Sequence, residues 1–260
     1  MLIYSLDGII PQNELGVKVK SYFISLKEKY LQGWDRQTTV ILLSSAVILT
    51  LHRNYSRTRF FRANLAEYFN VLPLVESHPY YYWFLSTALS LFLIPVIVAM
   101  IGTEQGLGDY GIRLGKQKLG WGVSISAWIL MIPVIVLAVL LYPSFQDKYP
   151  FCKEVAGSWT TFLPYQLAYG IYMFSWEFFF RGFMLFGLEG RFGKYSILIQ
   201  TIPFAVMHFS KPLPEALGSI VAGLLLGVLA LETRSFLYGA VIHWLVAMTM
   251  DTVCVIVSWN

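Results

Sequence analysis

Six stretches of this chain, 77–103, 119–146, 155–176, 195–210, 216–231 and 235–250, contain no Asp, Glu, Lys or Arg. Several of them reach the ~20 residues that a helix needs to cross a bilayer. Inside lipid no water is available to the backbone, so such segments must close their own hydrogen bonds as helices. Overall, 57% of residues are hydrophobic and 13% charged, against ~25% charged in an average soluble domain. The expected fold class is therefore all-α, a polytopic transmembrane helix bundle of about seven spans. These fall near 35–52, 80–102, 119–143, 159–188, 195–210, 215–232 and 235–257, separated by short turns bearing Pro, Gly or charge. One integral-membrane domain over 35–260 is the economical division. Ahead of it, 1–34 reads as an N-terminal interfacial segment. There Val19, Phe23, Leu26 and Tyr30 recur at helical spacing with Lys18, Lys20, Lys27 and Lys29 elsewhere on the wheel, as in an amphipathic helix lying on a membrane surface.

The balance of 19 Lys and Arg against 15 Asp and Glu reflects topogenic loops and anionic headgroups, and no nucleic-acid partner is expected. Lys and Arg are more numerous in the loops on the N-terminal side, which favours a cytoplasmic N-terminus, although Arg53, Arg57, Arg59 and Arg62 oppose it. A multi-pass protein of the bacterial inner membrane is expected. Asp7 and Glu14 and the lack of a basic stretch before a long apolar core argue against a cleaved signal peptide. Cys152 and Cys254 are too few for a disulfide scaffold or a zinc ribbon. Ser219, Gly223 and Gly227 repeat every four residues and read as an internal helix-packing face. Tyr80, Tyr81, Tyr82 and Trp83 read as an interfacial aromatic belt.

Chemistry in such a chain rests on the polar groups that survive inside apolar helices, because ionisable side chains there are costly and face a cavity or one another. Glu177 and Arg181 stand four residues apart, on one helix face, in the aromatic sequence Ser175-Trp176-Glu177-Phe178-Phe179-Phe180-Arg181-Gly182. His208 ends the fifth span and His243 lies in the seventh. Singly, each has a plain structural reading: an ion pair that locks helices, or a hydrogen-bonded core histidine. Together they place one carboxylate and two imidazoles on three spans, with no comparable cluster elsewhere in the apolar segments. A Glu and a His can activate a water, and a second His can donate to a developing oxyanion.

Glu177-x-x-x-Arg181-Gly182, Phe204-x-x-x-His208 and His243, in that order on successive helices, resemble the three motifs of the CAAX-processing and bacteriocin-processing (CPBP, or Abi) family of intramembrane endopeptidases. The resemblance covers about 105–250, including the segment Asp109-Tyr110-Gly111-Ile112-Arg113-Leu114-Gly115, and it sets a protease-like core at about 105–257. It implies glutamic-type peptide hydrolysis within the membrane. Two departures stand out. The family's first motif usually carries paired glutamates, and the first, usually taken as the water-activating one, aligns with Trp176, the second with Glu177. Four residues after the third-motif His the family usually has Asn or Asp, where this chain has Ala247.

The expected function is an endopeptidase acting on a membrane-anchored or lipidated substrate: a CAAX-like terminus, a leader peptide or a C-terminal sorting signal. Glu177 and His208 would position and deprotonate water, Arg181 would orient Glu177, and His243 would support the tetrahedral intermediate. Trp176 is expected to point away from this pocket, and Asp251 to cap or solvate the end of the last span. No cofactor is expected; a zinc variant would use Glu177, His208 and His243 as ligands with a water, but no HExxH pairing is present. The alternative is a catalytically inactive membrane relative that binds a partner or lipid. No feature of the sequence speaks to oligomeric state.

Overall fold

The computed structural model describes residues 12–258, and the part of the expected interfacial segment before Gln12 lies outside them. The chain divides after Arg36 into a short N-terminal unit and a unit that begins at Gln37. In the first, helix α1 (Gln12–Leu31) presents Val19, Phe23 and Tyr30 as exposed side chains.

Beyond α1, the chain runs through α2 (Arg36–Tyr55), the short α3 (Thr58–Asn64), α4 (Val75–Gly102) and α5 (Gln117–Leu141). There follow α6 (Trp159–Glu177), α7 (Tyr195–Val206), α8 (Leu213–Thr233) and α9 (Leu237–Ser258). All seven expected segments are thus helical, and no strand occurs among the described residues. Among the described residues, four helices, α4, α5, α8 and α9, are long and apolar enough to cross a membrane. Their outward residues are large and apolar: Leu130 on α5 is 71% exposed and Leu225 on α8 is 64% exposed. In water such a surface would drive association, whereas against acyl chains it is ordinary.

The centre of the bundle is built on one face of α6, whose other face carries the exposed Trp159, Leu163, Leu167 and Ile171. Tyr165, Tyr169, Tyr172, Met173 and Trp176 lie in the core with Phe178, Phe179, Phe180 and Phe183 just beyond its end. Phe84 of α4 stacks on Tyr169 at 5.0 Å, and α9 approaches through Trp244, whose indole donates to the Gln166 carbonyl at 2.9 Å. Close approach is set by small residues. A Cβ on Gly120 would lie 2.4 Å from the Tyr238 ring, and one on Gly223 would lie 2.7 Å from Thr201. The small-residue face of α8 therefore packs inside the molecule, against α7, where Gln200 also donates to the Gly223 carbonyl at 2.9 Å. Several hydroxyls in apolar helices return to carbonyls one turn back, as Thr87 does to Trp83 at 2.7 Å, whereas the Ser45 and Tyr165 hydroxyls are buried without a hydrogen-bond partner among the described residues.

Immediately after Glu177 the helix widens into a π-helical stretch, Phe178–Phe186. Such stretches arise mostly as single wide turns and mark functional sites with unusual frequency. This one is braced from outside by the segment 109–115. Tyr110 is fully buried and stacks on Phe183 at 6.1 Å, and a Cβ on Gly182 would meet the Tyr110 carbonyl at 3.0 Å. Gly111, at φ 77°, turns the chain against Phe186, with no room for a side chain. Arg113 then donates to the Arg234 carbonyl at 3.0 Å.

Candidate active site

Glu177 closes α6 in a position of zero exposure. A lone carboxylate there would be strongly disfavoured, and two neighbours make the position tenable. Arg181 Nη1 donates to Glu177 Oε1 at 2.9 Å, and His243 Nδ1 lies 2.7 Å from the same oxygen. A carboxylate only accepts, so the His243 Nδ1–H is the donor and its Nε2 carries the free lone pair. Arg181 is itself fully buried and lays its guanidinium over the Phe204 ring, 4.0 Å from the centroid. Glu177 Oε2 and Arg181 Nε and Nη2 have no hydrogen-bond partner among the described residues. The approach of α9 at this point depends on Gly239, where a Cβ would come within 3.1 Å of Glu177 Oε2.

His208 sits in the turn that follows α7, with Nδ1 2.8 Å from the Phe204 carbonyl. A carbonyl also only accepts, so this ring too is held as the Nδ1–H tautomer with Nε2 as acceptor. The two imidazoles are nearly parallel, at 20° with centroids 6.4 Å apart, and Phe204 touches both. Glu177, Arg181, His208 and His243 thus meet around Phe204, with the histidines on the outer side: the His243 side chain keeps 17% exposure and His208 is 8% exposed. Glu177 bonds directly to His243, and no direct bond joins it to His208. Among the described residues no group of three His, Cys, Asp or Glu is arranged to hold a metal ion.

Two sequence-based expectations are corrected. Trp176 does not point away: its indole packs edge-on against His208, with centroids 5.9 Å apart, and also contacts Phe204, Phe180 and Tyr172. It is an aromatic wall on the His208 side because successive helical residues diverge by ~100°, which sends Glu177 toward α9 and Trp176 toward α7. Asp251 does not cap or solvate a helix end. It is fully buried and accepts from Gln166 Nε2 of α6 at 2.7 Å, a partner its own helix gives no hint of.

A further polar cluster, not singled out from the sequence, ties down the His208 turn. The Lys211 amide donates to the His208 carbonyl at 2.9 Å, and its ammonium meets Glu215 Oε1 at 3.1 Å and the Tyr149 hydroxyl. Burial pushes the Lys211 ammonium below its usual value, opposed by Glu215, and pushes the Tyr149 phenol well up, with Glu215 adding to the rise. The i,i+4 spacing of Lys211 and Glu215 was a visible signal; the third member, 62 residues from Lys211, was not.

A family model described as type II CAAX prenyl endopeptidase Rce1-like matches residues 158–249. That interval contains every one of the four residues gathered around Phe204. No curated protein and no solved structure matches the chain.

Proposed function

We propose that this integral membrane protein, whose residues 158–249 match the Rce1-like family model, is an intramembrane endopeptidase that hydrolyses a peptide bond near the lipidated C-terminus of a membrane-anchored protein. The reacting unit is His243, oriented by Glu177, with His208 opposite. The observation that carries this reading is the pair of free Nε2 lone pairs on the outer side of a closed Glu177–Arg181 ion pair.

In this mechanism His243 Nε2 takes a proton from a water as its oxygen attacks the scissile carbonyl carbon. The Glu177 carboxylate holds the ring in the required tautomer and balances the imidazolium that forms. His208 Nε2 accepts the second hydrogen of the water and so aims its lone pair. The imidazolium then returns its proton to the leaving amine. Arg181 keeps Glu177 ionised and still in an apolar surrounding. No metal takes part. Water activation moves from the shared task of Glu177 and His208 to His243, a shift that follows from the Glu177–His243 bond.

The test is cleavage of a prenylated peptide with a CAAX-type terminus by the full chain in liposomes. Glu177→Gln keeps the volume and removes the charge, and is expected to lower kcat by at least ~100-fold while the protein stays folded and inserted. Undiminished cleavage would reject the mechanism. A second reading, an inactive relative that binds a partner or lipid, is favoured by Trp176, whose indole rests on His208 where the family resemblance sets a water-activating carboxylate. Wild-type protein that binds such peptides without cleaving any of them would establish that reading.

A further inference from the structure

Of the four residues gathered around Phe204, Glu177 ends α6, Arg181 lies in the π-helical stretch and His243 is inside α9. His208 differs: it stands beyond the last residue of α7, in the turn that leads to α8. A side chain on a helix takes its direction from a closed ladder of hydrogen bonds, and one on a turn does not. The His208 ring is held by a single hydrogen bond, from Nδ1 to the Phe204 carbonyl at 2.8 Å, so its place depends on the backbone of 207–212.

That turn is gripped from outside. The connection between α5 and α6 brings Lys148 Nζ to the Ser210 carbonyl at 3.1 Å and the Tyr149 hydroxyl to Lys211 Nζ. Lys211 is tied back to the His208 carbonyl through its own amide at 2.9 Å, and forward to α8 through Glu215 at 3.1 Å. The one phenolic hydrogen of Tyr149 goes to the Glu215 carboxylate, whose two oxygens are both 2.7 Å away, so the hydroxyl accepts from the Lys211 ammonium. The ammonium also lies over the Phe151 and Tyr149 rings, at 4.5 and 4.6 Å from their centroids. Tyr149 is buried, and the Lys211 and Glu215 side chains keep 15% and 25% exposure. Three mutually bonded groups with so little water to compete for them hold a geometry, where an open surface pair would not.

We propose that Tyr149, Lys211 and Glu215 are positioning residues for the hydrolysis: they lock the 207–212 turn so that His208 Nε2 is held toward the water that His243 deprotonates. Their effect on turnover rests on the peptidase reading, and their effect on the His208 ring does not. A water aimed by two lone pairs needs both rings in fixed places, and a displacement of ~1 Å at a reacting group can cost ~100-fold in rate. His243 needs no such clamp, because its backbone is helical and Glu177 bonds its ring directly.

The test compares Tyr149→Phe with wild type, as full chains in liposomes, by cleavage of the prenylated peptide and by the nitrogen-15 spectrum of the histidine-labelled protein. The chain has four histidines, and His208→Gln identifies the signals of His208. Tyr149→Phe removes one hydroxyl and no charge, and its kcat is expected to fall ~10-fold with KM changed less than ~2-fold, in a protein that stays folded and inserted. The His208 nitrogens should shift or broaden while those of His52, His78 and His243 stay in place. Lys211→Met should lose as much turnover, and Lys211→Arg, which keeps a cation for Glu215 and Tyr149, should return to within ~3-fold of wild type. Tyr82→Phe breaks a phenol bond of 2.7 Å to the Tyr55 carbonyl, away from the turn, and should leave both kcat and the His208 signals unchanged. A folded Tyr149→Phe chain with wild-type kcat or unshifted His208 signals overturns the proposal, as does a loss that Tyr82→Phe reproduces or that Lys211→Arg does not relieve. A wild-type chain that cleaves nothing rejects the peptidase reading instead, and the His208 signals of Tyr149→Phe then decide whether the clamp exists.

Discussion

Glu177 and Arg181 are both fully buried, and each makes the other tolerable there. Replacing Arg181 with Ala leaves a carboxylate without its counter-ion in an apolar interior, and breaking a buried pair in this way costs roughly 3–5 kcal/mol. Arg181→Ala should therefore unfold at distinctly lower temperature in detergent than wild type and lose its activity with its stability; Glu177→Gln removes the counter-ion of the buried Arg181 in turn, but its amide oxygen still accepts from Arg181 and His243, so its loss of stability should be the smaller of the two. Asp251 belongs to a different class. Its contact is Gln166 rather than any of the three site motifs, and Asn retains an oxygen for that amide, so Asp251→Asn should keep most peptidase activity in the same cleavage assay. The candidate residues were legible in the sequence because ionisable groups are so scarce in apolar segments. What each side chain touches was not legible: the partner of Asp251 is 85 residues away, and the direction of Trp176 depends on which helix passes on each side of α6.

At the scale of elements, the uncharged stretches located the helices because lipid leaves the backbone no other regular option. Short connecting helices such as α3 escaped, having too few residues for any period to show. The π-helical stretch after Glu177 escaped for another reason. A change from i+4 to i+5 bonding leaves no mark on composition, and the aromatic run Phe178–Phe180 reads as ordinary apolar helix. The packing of α7 on α8 was legible in the repeat of small residues and can be tested there. Gly223→Ala would set a methyl 2.7 Å from Thr201 Cγ2, an overpacking that typically costs about 1–3 kcal/mol. A lowered midpoint of thermal unfolding, with the circular dichroism of a helical protein retained, is the expected result.

In the unit that begins at Gln37, the most apolar helices carry large side chains outward, and the core holds many aromatic residues with Glu177, Arg181 and Asp251 buried among them. The most apolar 18-residue window of α5 has a mean hydropathy of 2.6, yet only 17% of it is buried. The central α6 carries the functional carboxylate at its end. This arrangement keeps Glu177, Arg181 and their histidines away from acyl chains while leaving the two Nε2 atoms on the accessible side. Catalysis then turns on His243 acting as the base. The decisive measurement is kcat and KM for the prenylated peptide with the His243→Ala chain reconstituted in liposomes, alongside its thermal midpoint. The expected result is a kcat at least ~100-fold below wild type with KM and stability little changed; a His243→Ala protein turning over at the wild-type rate would contradict the assignment.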